Sequence, residues 1–202
     1  QISYFCSYCL LPITHYSLNM WKKIKKLLYI LILANILFIF WGKFFNPPIT
    51  LTQISGLFEF GKLKRDYISY DEMGDNVKRA VIASEDQNFF NHNGFDYKAI
   101  QKAMEHNDAG KKLRGGSTIS QQTAKNIFLW QGRSWIRKGF ETVYTFIIEL
   151  VWGKDVILER YLNSIEMGRG VFGVEAASEY YFNKKSKDLT KSEAAWIATI
   201  LP

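Results

Sequence analysis

Two adjacent carboxylates, Glu85 and Asp86, lie at the end of an apolar run with helical spacing that includes Val77 and Val81. Aromatic residues, a histidine and Gly94 follow, and they continue a helix poorly, so we expect a helix that ends at Glu85 and a loop that folds back over it. A glutamate held partly buried there suits a general base better than a solvated carboxylate does. The alternative is a pair of ordinary solvated acids, which are common at helix ends.

A second group of polar residues follows the turn Gly115-Gly116 and predicts an anion-binding surface. A capped helix is expected to start there, and Thr118, Gln122 and Lys125 would share one of its faces. A hydroxyl, an amide and an ammonium group beside a glycine-rich helix N-terminus can bind a phosphate-like group. A solvated helix face is the alternative.

A further predicted helix carries Arg137 and Glu141 one turn apart, away from its apolar stripe. As a surface ion pair they would contribute about 0.3–0.5 kcal/mol. In the functional interpretation, Arg137 and Lys138 hold an anion while Glu141 faces the same space.

The segments that carry these residues are predicted to be mainly helical from Asn76 onward. Asp96 is a plausible N-cap, and Thr190 to Glu193 forms a capping box that opens the last helix. Weak strand character is predicted only around residues 67–70. The glycines of residues 168–173 are predicted to allow close backbone packing.

The N-terminal part of the chain has the pattern of a membrane anchor. A lysine cluster at residues 22–26 precedes an almost purely apolar run at residues 27–41. A buried core helix would not cluster its lysines at one end, and a cleaved signal peptide needs small residues where this chain has Phe40 and Trp41. We therefore expect an uncleaved signal anchor with its N-terminus in the cytoplasm and the rest of the chain across the membrane.

The composition of the chain indicates which classes of partner it can bind. The 202-residue chain has a net charge of +7 and a sequence pI of about 9.3, which favours anionic partners. Zinc-finger, P-loop and RNA-binding signatures are absent from the sequence, so nucleic acid is not expected as a partner. The predicted segments are a non-native or cytoplasmic leader (1–19), a basic flank and anchor (20–45), a connector (46–75) and a helical domain (76–202).

Taken together, five sequence blocks resemble the peptidoglycan glycosyltransferase family, most closely its monofunctional, membrane-anchored biosynthetic members. The blocks are residues 85–94, residues 115–129, the motif Arg137-Lys138-x-x-Glu141, residues 158–182 and residues 193–202. The resemblance implies a mainly α, lysozyme-like, two-lobed transglycosylase domain behind a single transmembrane helix. Family members continue beyond the position of Pro202, so we expect the domain, residues 76–202, to be C-terminally truncated.

The resemblance also implies a reaction. Lipid II, a disaccharide-peptide on a polyprenyl diphosphate, is polymerised into β-1,4 glycan strands with inversion. The implied partners are lipid II, the nascent glycan strand, membrane lipid and other cell-wall synthesis or division proteins, at the bacterial cytoplasmic (inner) membrane. No organic cofactor is expected, and a divalent cation, Mg²⁺ or Mn²⁺, is expected near Glu141 and the substrate diphosphate.

Site residues are carried over from the matching motifs. Glu85 is the expected general base, and Glu141 is the second essential acid. The expected substrate-binding residues are Asp86, Phe89, His92, Gly116, Ser117, Thr118, Gln121, Gln122, Lys125, Asn126, Arg137, Lys138 and Asn163. Phe89 is expected to pack and His92 to support the loop.

Two other functions remain open. An inactive membrane-anchored scaffold for cell-wall proteins would fit a truncated domain, but not the retention of both glutamates and all the cations. A lysozyme-like peptidoglycan-cleaving enzyme would not need a cation cluster for a diphosphate leaving group. Residues 128–130, near Trp135, are expected either to dip into the membrane or to pack in the core.

Overall fold

A computed structural model describes residues 11–108 and 115–201, with side chains described from Met20 onward. In this part of the chain nine α-helices and one small sheet are present, which confirms the prediction of a mainly α protein. The helices are α1 (Leu11–Phe44), α2 (Leu51–Phe60), α3 (Asp75–Glu85), α4 (Tyr97–Asp108), α5 (Ile119–Phe128), α6 (Trp135–Val151), α7 (Lys154–Ser164), α8 (Val174–Phe182) and α9 (Lys191–Thr199). The chain divides into two compact units, Gln1–Phe44 and Phe45–Pro202.

Helix α1 contains the predicted membrane anchor. Its segment Met20–Phe44 has 25 residues and includes an 18-residue stretch with a mean hydropathy of 2.1, and it is the one helix of the described residues that is long and apolar enough to cross a membrane. At 1.5 Å per residue it extends about 37 Å, more than the roughly 30 Å of a hydrocarbon core. Leu27, Leu28 and Ile30 project in different directions around the helix and are all exposed, so its apolar surface is not confined to one face.

Helix α5 lies in the interior of the second unit and carries many of the predicted site residues. Every residue of α5 is buried except Lys125 and Phe128. Helices α2, α6 and α7 pack around it. Its buried side chains include Ser120, Gln122 and Thr123, and such polar groups are stable in a core only when they are hydrogen-bonded. The site residues of α5 are therefore held by a rigid element.

Helix α3 ends at Glu85, as predicted, and packs against α9. Val77 and Val81 of α3 and Ile197 of α9 are fully buried. A 3-10 turn, Phe89–Asn91, follows instead of a continued helix. The α3–α9 contact thus fixes the end of the helix that carries the predicted base.

The small sheet was not predicted at its observed position. Strand β1 (Lys64–Arg65) pairs in parallel with β3 (Val171–Phe172), and β2 (Glu166–Gly168) pairs with β3 antiparallel. The prediction of strand character at residues 67–70 was wrong, because the strand lies earlier and a 3-10 turn begins at Tyr70. The predicted close packing of the glycines is confirmed at Gly170, where φ is +69° and a Cβ would lie 2.5 Å from the Lys62 carbonyl oxygen.

The segment predicted as a connector, residues 46–75, packs into the second unit. The Thr52 hydroxyl donates to the Asn126 carbonyl oxygen of α5 at 3.2 Å. The Asn163 side chain of α7 donates to the Ile68 carbonyl oxygen at 2.8 Å and accepts from the Ile68 N–H at 3.2 Å. These bonds tie the segment to the helices that carry the site.

The predicted capping box at the start of α9 is confirmed and gives a pH-dependent stability. The Lys184 ammonium first, and then the Thr190 backbone and hydroxyl, lower the pKa of Glu193 from 4.5 to about 2. A lowered carboxylate pKa stabilises the folded state above the unfolded pKa, and this stabilisation is lost as the pH falls from about 4.5 to about 2. We expect the difference in melting temperature between the parent and Glu193→Gln to be largest near neutral pH and to vanish near pH 2. Glu179→Gln, on the exposed side of α8, is the matched control; a difference that persists at low pH would contradict the prediction.

Candidate active site

Glu85 is half-buried at the end of α3 and is held by α5. The Gln122 side-chain N–H donates to Glu85 Oε2 at 2.6 Å. Behind Gln122, the hydroxyl of Tyr161 on α7 donates to Gln122 Oε1 at 3.0 Å. The partly buried glutamate expected from the sequence is therefore confirmed, and its orientation is fixed by a buried amide.

Asp86, the neighbouring acid, is buried and accepts hydrogen bonds from two directions. His92 Nε2 lies 2.9 and 3.0 Å from its carboxylate oxygens, and the Ile119 N–H donates to Oδ2 at 3.0 Å. The Gly94 N–H donates to His92 Nδ1 at 3.1 Å, which places a ring proton on Nε2, facing Asp86. Asp86 and His92 therefore hold the loop after Glu85 in place.

The N-terminus of α5, predicted as part of a binding surface for a phosphate-like group, is occupied by the carboxylate of Asp86 instead. The Ile119 N–H donates to Asp86, and the Gln121 N–H donates to the Thr118 hydroxyl in a capping box. The Thr118 hydroxyl also donates to the Gly94 carbonyl oxygen at 2.6 Å. These groups fasten the 86–94 loop to α5, so the site's attraction for an external anion comes from side chains.

Gly94 brings this loop close to α6. Its φ is +87°, a conformation that favours glycine, and a Cβ there would lie 2.8 Å from Thr145 Cγ2 and 3.0 Å from Glu149 Cγ. Glu149 in turn accepts from the Ser120 hydroxyl and from the Lys154 ammonium, at 2.5 and 2.7 Å. This half-buried ion pair thus supports the loop through the contact of Gly94 with α6.

Glu141 forms ion pairs with two cationic side chains of its own helix, α6. Arg137 Nη1 donates to Glu141 Oε2 at 3.0 Å, and the Lys138 ammonium contacts Oε1. Glu141 is only 3% exposed, so the alternative of an ordinary surface ion pair is wrong. The functional interpretation, in which all three side chains face one space, fits the burial.

Lys125 completes the cation cluster, which we define as Lys125, Arg137 and Lys138. Burial first lowers the pKa of Lys125; Arg137 and Lys138 lower it further, while Glu141 and Glu85 oppose them. Among the described residues the Lys125 ammonium has no hydrogen-bond partner, and the buried Arg137 Nε has none either. Three cations facing two carboxylates, with donors unused, are suited to bind an anion.

Glu141 is a poor ligand for the divalent cation expected from the sequence. Both of its carboxylate oxygens already accept from cationic side chains, and a metal ion would have to displace them. Among the described residues, no group of three or more His, Cys, Asp or Glu side chains is arranged to hold a metal ion. The requirement for Mg²⁺ or Mn²⁺ stays a prediction.

A cavity of about 250 Å³ opens beside Glu85 and Asp86. Its wall includes Ser117 and Gly116 before α5 and Lys98 and Lys102 on α4. The two lysines were not predicted as site residues, because they lie on a helix with no other chemical signal in the sequence.

The remaining predicted residues have mainly supporting contacts. Phe89 is fully buried under the Lys154 ammonium, which confirms that it packs. Gln121 belongs to the capping box, and Asn126 is buried with an unpaired side-chain nitrogen. The Asn163 side chain forms hydrogen bonds with the backbone of Ile68, and these bonds do not connect it to Glu85.

Three residues that support the site, Tyr161, Glu149 and Lys154, were not predicted, because they look apolar or remote in the sequence. Tyr161 falls on the inward stripe of α7, so its hydroxyl gave no separate signal. Glu149 and Lys154 are on either side of a helix boundary and look like surface charges in the sequence. The packing of α5, α6 and α7 against one another places these three side chains around the site.

A family model described as Transglycosylase matches residues 53–202. The chain is similar to three proteins named biosynthetic peptidoglycan transglycosylase: 57% identical over 141 residues to one from Mannheimia succiniciproducens, 47% over 173 residues to one from Bacteroides thetaiotaomicron and 45% over 196 residues to one from Pasteurella multocida. The matches cover 70%, 85% and 91% of this chain, and they span 58%, 70% and 79% of the respective relatives. The chain belongs to the transglycosylase family.

Proposed function

We propose that this chain is a peptidoglycan glycosyltransferase that polymerises lipid II into β-1,4 glycan strands. One observation carries the proposal: a cation cluster with unused donors lies beside a half-buried glutamate that a buried amide orients. The printed names of the relatives support the same reaction class.

Glu85 has the position of the general base. A sugar hydroxyl is a weak nucleophile, so a carboxylate must accept its proton as it attacks the anomeric carbon of the growing strand. The cavity beside Glu85 would receive the sugar that carries this hydroxyl. The new bond joins the hydroxyl oxygen to the anomeric carbon, the bond from that carbon to the diphosphate breaks, and the proton goes to Glu85.

The cation cluster has the position of the electrostatic stabiliser. Negative charge grows on the diphosphate as it leaves, and fixed cations lower the energy of that state most effectively where water is excluded. Lys125 and Arg137 are largely withdrawn from solvent, while Lys138 is 40% exposed at the edge. Glu141 keeps Arg137 and Lys138 together in spite of their mutual repulsion.

For the location of the protein, we propose a single-pass anchor in the bacterial cytoplasmic membrane. The segment Met20–Phe44 is the candidate span, and the lysines at its start favour a cytoplasmic N-terminus. The second unit would then work on the outer side, where its membrane-borne substrate is polymerised. Other cell-wall synthesis or division proteins remain proposed partners.

A second contact with lipid is proposed for an exposed apolar stripe of α6. The stripe consists of Trp135, Ile136, Phe140, Val143 and Leu150, which are 93%, 72%, 47%, 55% and 71% exposed. At residues 128–130 the expectation of core packing holds for Leu129, which is buried, and for Phe128, which stacks on Tyr144. Trp130 is exposed beside Phe140, and its insertion into the membrane stays a proposal.

Tryptophan quenching tests this contact. In proteoliposomes with brominated lipid, we expect a variant that retains only Trp130 to be quenched more strongly than one that retains only Trp196. The two side chains are matched controls for each other, being 46% and 44% exposed on different parts of the second unit. Equal quenching would contradict membrane insertion at Trp130.

The proposed reaction itself is tested with purified full-length protein, labelled lipid II and a divalent cation. Long, muramidase-sensitive glycan strands are the expected product. Lipid II that binds without being polymerised would favour the inactive scaffold, and finished glycan converted into short fragments would favour a cleaving enzyme.

A further inference from the structure

Tyr161 is a fully buried residue whose hydroxyl points at the polar site instead of the core. Its side chain has no exposed surface, and its hydroxyl donates to Gln122 Oε1. A phenylalanine would fill the same space, and a buried hydroxyl is costly unless it is paired. Packing alone therefore does not account for a tyrosine at this position.

The hydroxyl decides which end of the Gln122 amide faces Glu85. An amide has an accepting oxygen and a donating nitrogen, and its two orientations differ only in which of them lies on each side. With Tyr161 donating to Oε1, the nitrogen is left to donate to Glu85 Oε2 at 2.6 Å. In the opposite orientation Oε1 would face the carboxylate with no hydrogen between the two oxygens.

Tyr161 remains a donor over the whole working range of pH. Burial first, and then the charges of Glu85 and Asp86, raise the pKa of Tyr161 well above 10.0. The phenol therefore stays protonated beside Gln122, and its donor role does not switch off.

We propose that Tyr161 is a positioning residue for the general base: it fixes the Gln122 amide so that Gln122 donates to Glu85 and holds that carboxylate in its reactive orientation. Tyr161 does not touch substrate in this role and acts only through Gln122. The role rests on the proposed function, because it matters to the rate only if Glu85 accepts the proton.

A double-mutant cycle on the full-length protein tests the role. We expect Tyr161→Phe to lower kcat roughly three- to tenfold with KM for lipid II unchanged, since one neutral hydrogen bond is lost. Gln122→Met should lower kcat by about 10- to 100-fold, because a bond to a charged group is lost. In the double variant kcat should equal that of Gln122→Met within about twofold, as expected for residues that act in series.

Tyr181→Phe is the matched control. The Tyr181 hydroxyl donates to the Met167 carbonyl oxygen at 2.9 Å, so the control loses a similar bond on α8. We expect a comparable fall in melting temperature with kcat unchanged. Unchanged kcat in Tyr161→Phe, or a Tyr161→Phe loss that multiplies fully with that of Gln122→Met, would overturn the positioning role.

A spectroscopic readout separates this role from the polymerase activity. The side-chain amide resonance of Gln122, assigned by its disappearance in Gln122→Met, should shift in Tyr161→Phe whether or not the chain polymerises lipid II. An unchanged resonance would overturn the role. An absence of polymer from the parent, with the resonance shifted, would contradict the proposed function and leave the positioning of Glu85 by Tyr161 supported.

Discussion

Replacing Glu85 by Gln is expected to slow strand synthesis by at least about 100-fold while lipid II still binds. The amide keeps the shape of the side chain and can still accept from Gln122, but it cannot take a proton from the attacking hydroxyl. General-base catalysis by a positioned group contributes about 10²–10⁴-fold. We expect kcat to fall by a factor in that range, measured by the initial rate of polymer formation from labelled lipid II.

The control for this substitution is Glu179→Gln, which makes the same chemical change on the exposed side of α8. It should polymerise lipid II at the parental rate. A Glu85→Gln variant that forms strands at the parental rate would show that another group accepts the proton. Equal melting temperatures of the parent and Glu85→Gln would show that the loss comes from chemistry and not from unfolding.

Replacing Glu141 by Gln is expected to have the second largest effect, through the cation cluster. Arg137 and Lys138 share this carboxylate, and without its charge they repel each other and Lys125. Removing one partner of a buried ion pair costs about 3–5 kcal/mol of stability, and less here because Lys138 is 40% exposed. We expect kcat/KM for lipid II to fall about 10²-fold, the size of one or two charged hydrogen bonds, with a lower melting temperature.

The dependence of Glu141→Gln on divalent cations distinguishes two roles for Glu141. If Glu141 only holds the cation cluster, the Mg²⁺ concentration that gives half-maximal activity is unchanged in the variant. A metal ligand would instead raise that concentration severalfold. Because both carboxylate oxygens already accept from Arg137 and Lys138, we expect no change, and a raised Mg²⁺ requirement would contradict this assignment.

The parts of the site that follow a local pattern could be predicted from the sequence. The helical spacing before Glu85 and the poor helix formers after it predicted that α3 ends at Glu85. The spacing of Arg137, Lys138 and Glu141 along α6 predicted that their side chains lie together. Capping signals likewise located the starts of α5 and α9. Each of these features depends on residues within about one or two helical turns of each other.

The parts that depend on distant segments could not be predicted. The bond from Ile119 to Asp86 spans 33 residues, and the one from Tyr161 to Gln122 spans 39. The hydrophobic periodicity of the sequence does not indicate that Asp86 occupies the N-terminus of α5, or that the Asn163 side chain donates a hydrogen bond to the Ile68 carbonyl oxygen. Strand β1 is only two residues long and depends on pairing with β3, so local propensity cannot locate it.

The occupation of the α5 N-terminus by Asp86 has a consequence for ionic strength. The N-terminus of α5 is already occupied by a carboxylate, so an approaching diphosphate is attracted through solvent by exposed lysines, among them Lys138 of the cation cluster. At physiological salt such an exposed charge is screened over about 8 Å, whereas withdrawn charges such as Arg137 and Lys125 are screened much less. Added salt should therefore slow the capture of substrate while its residence time, once docked, changes little.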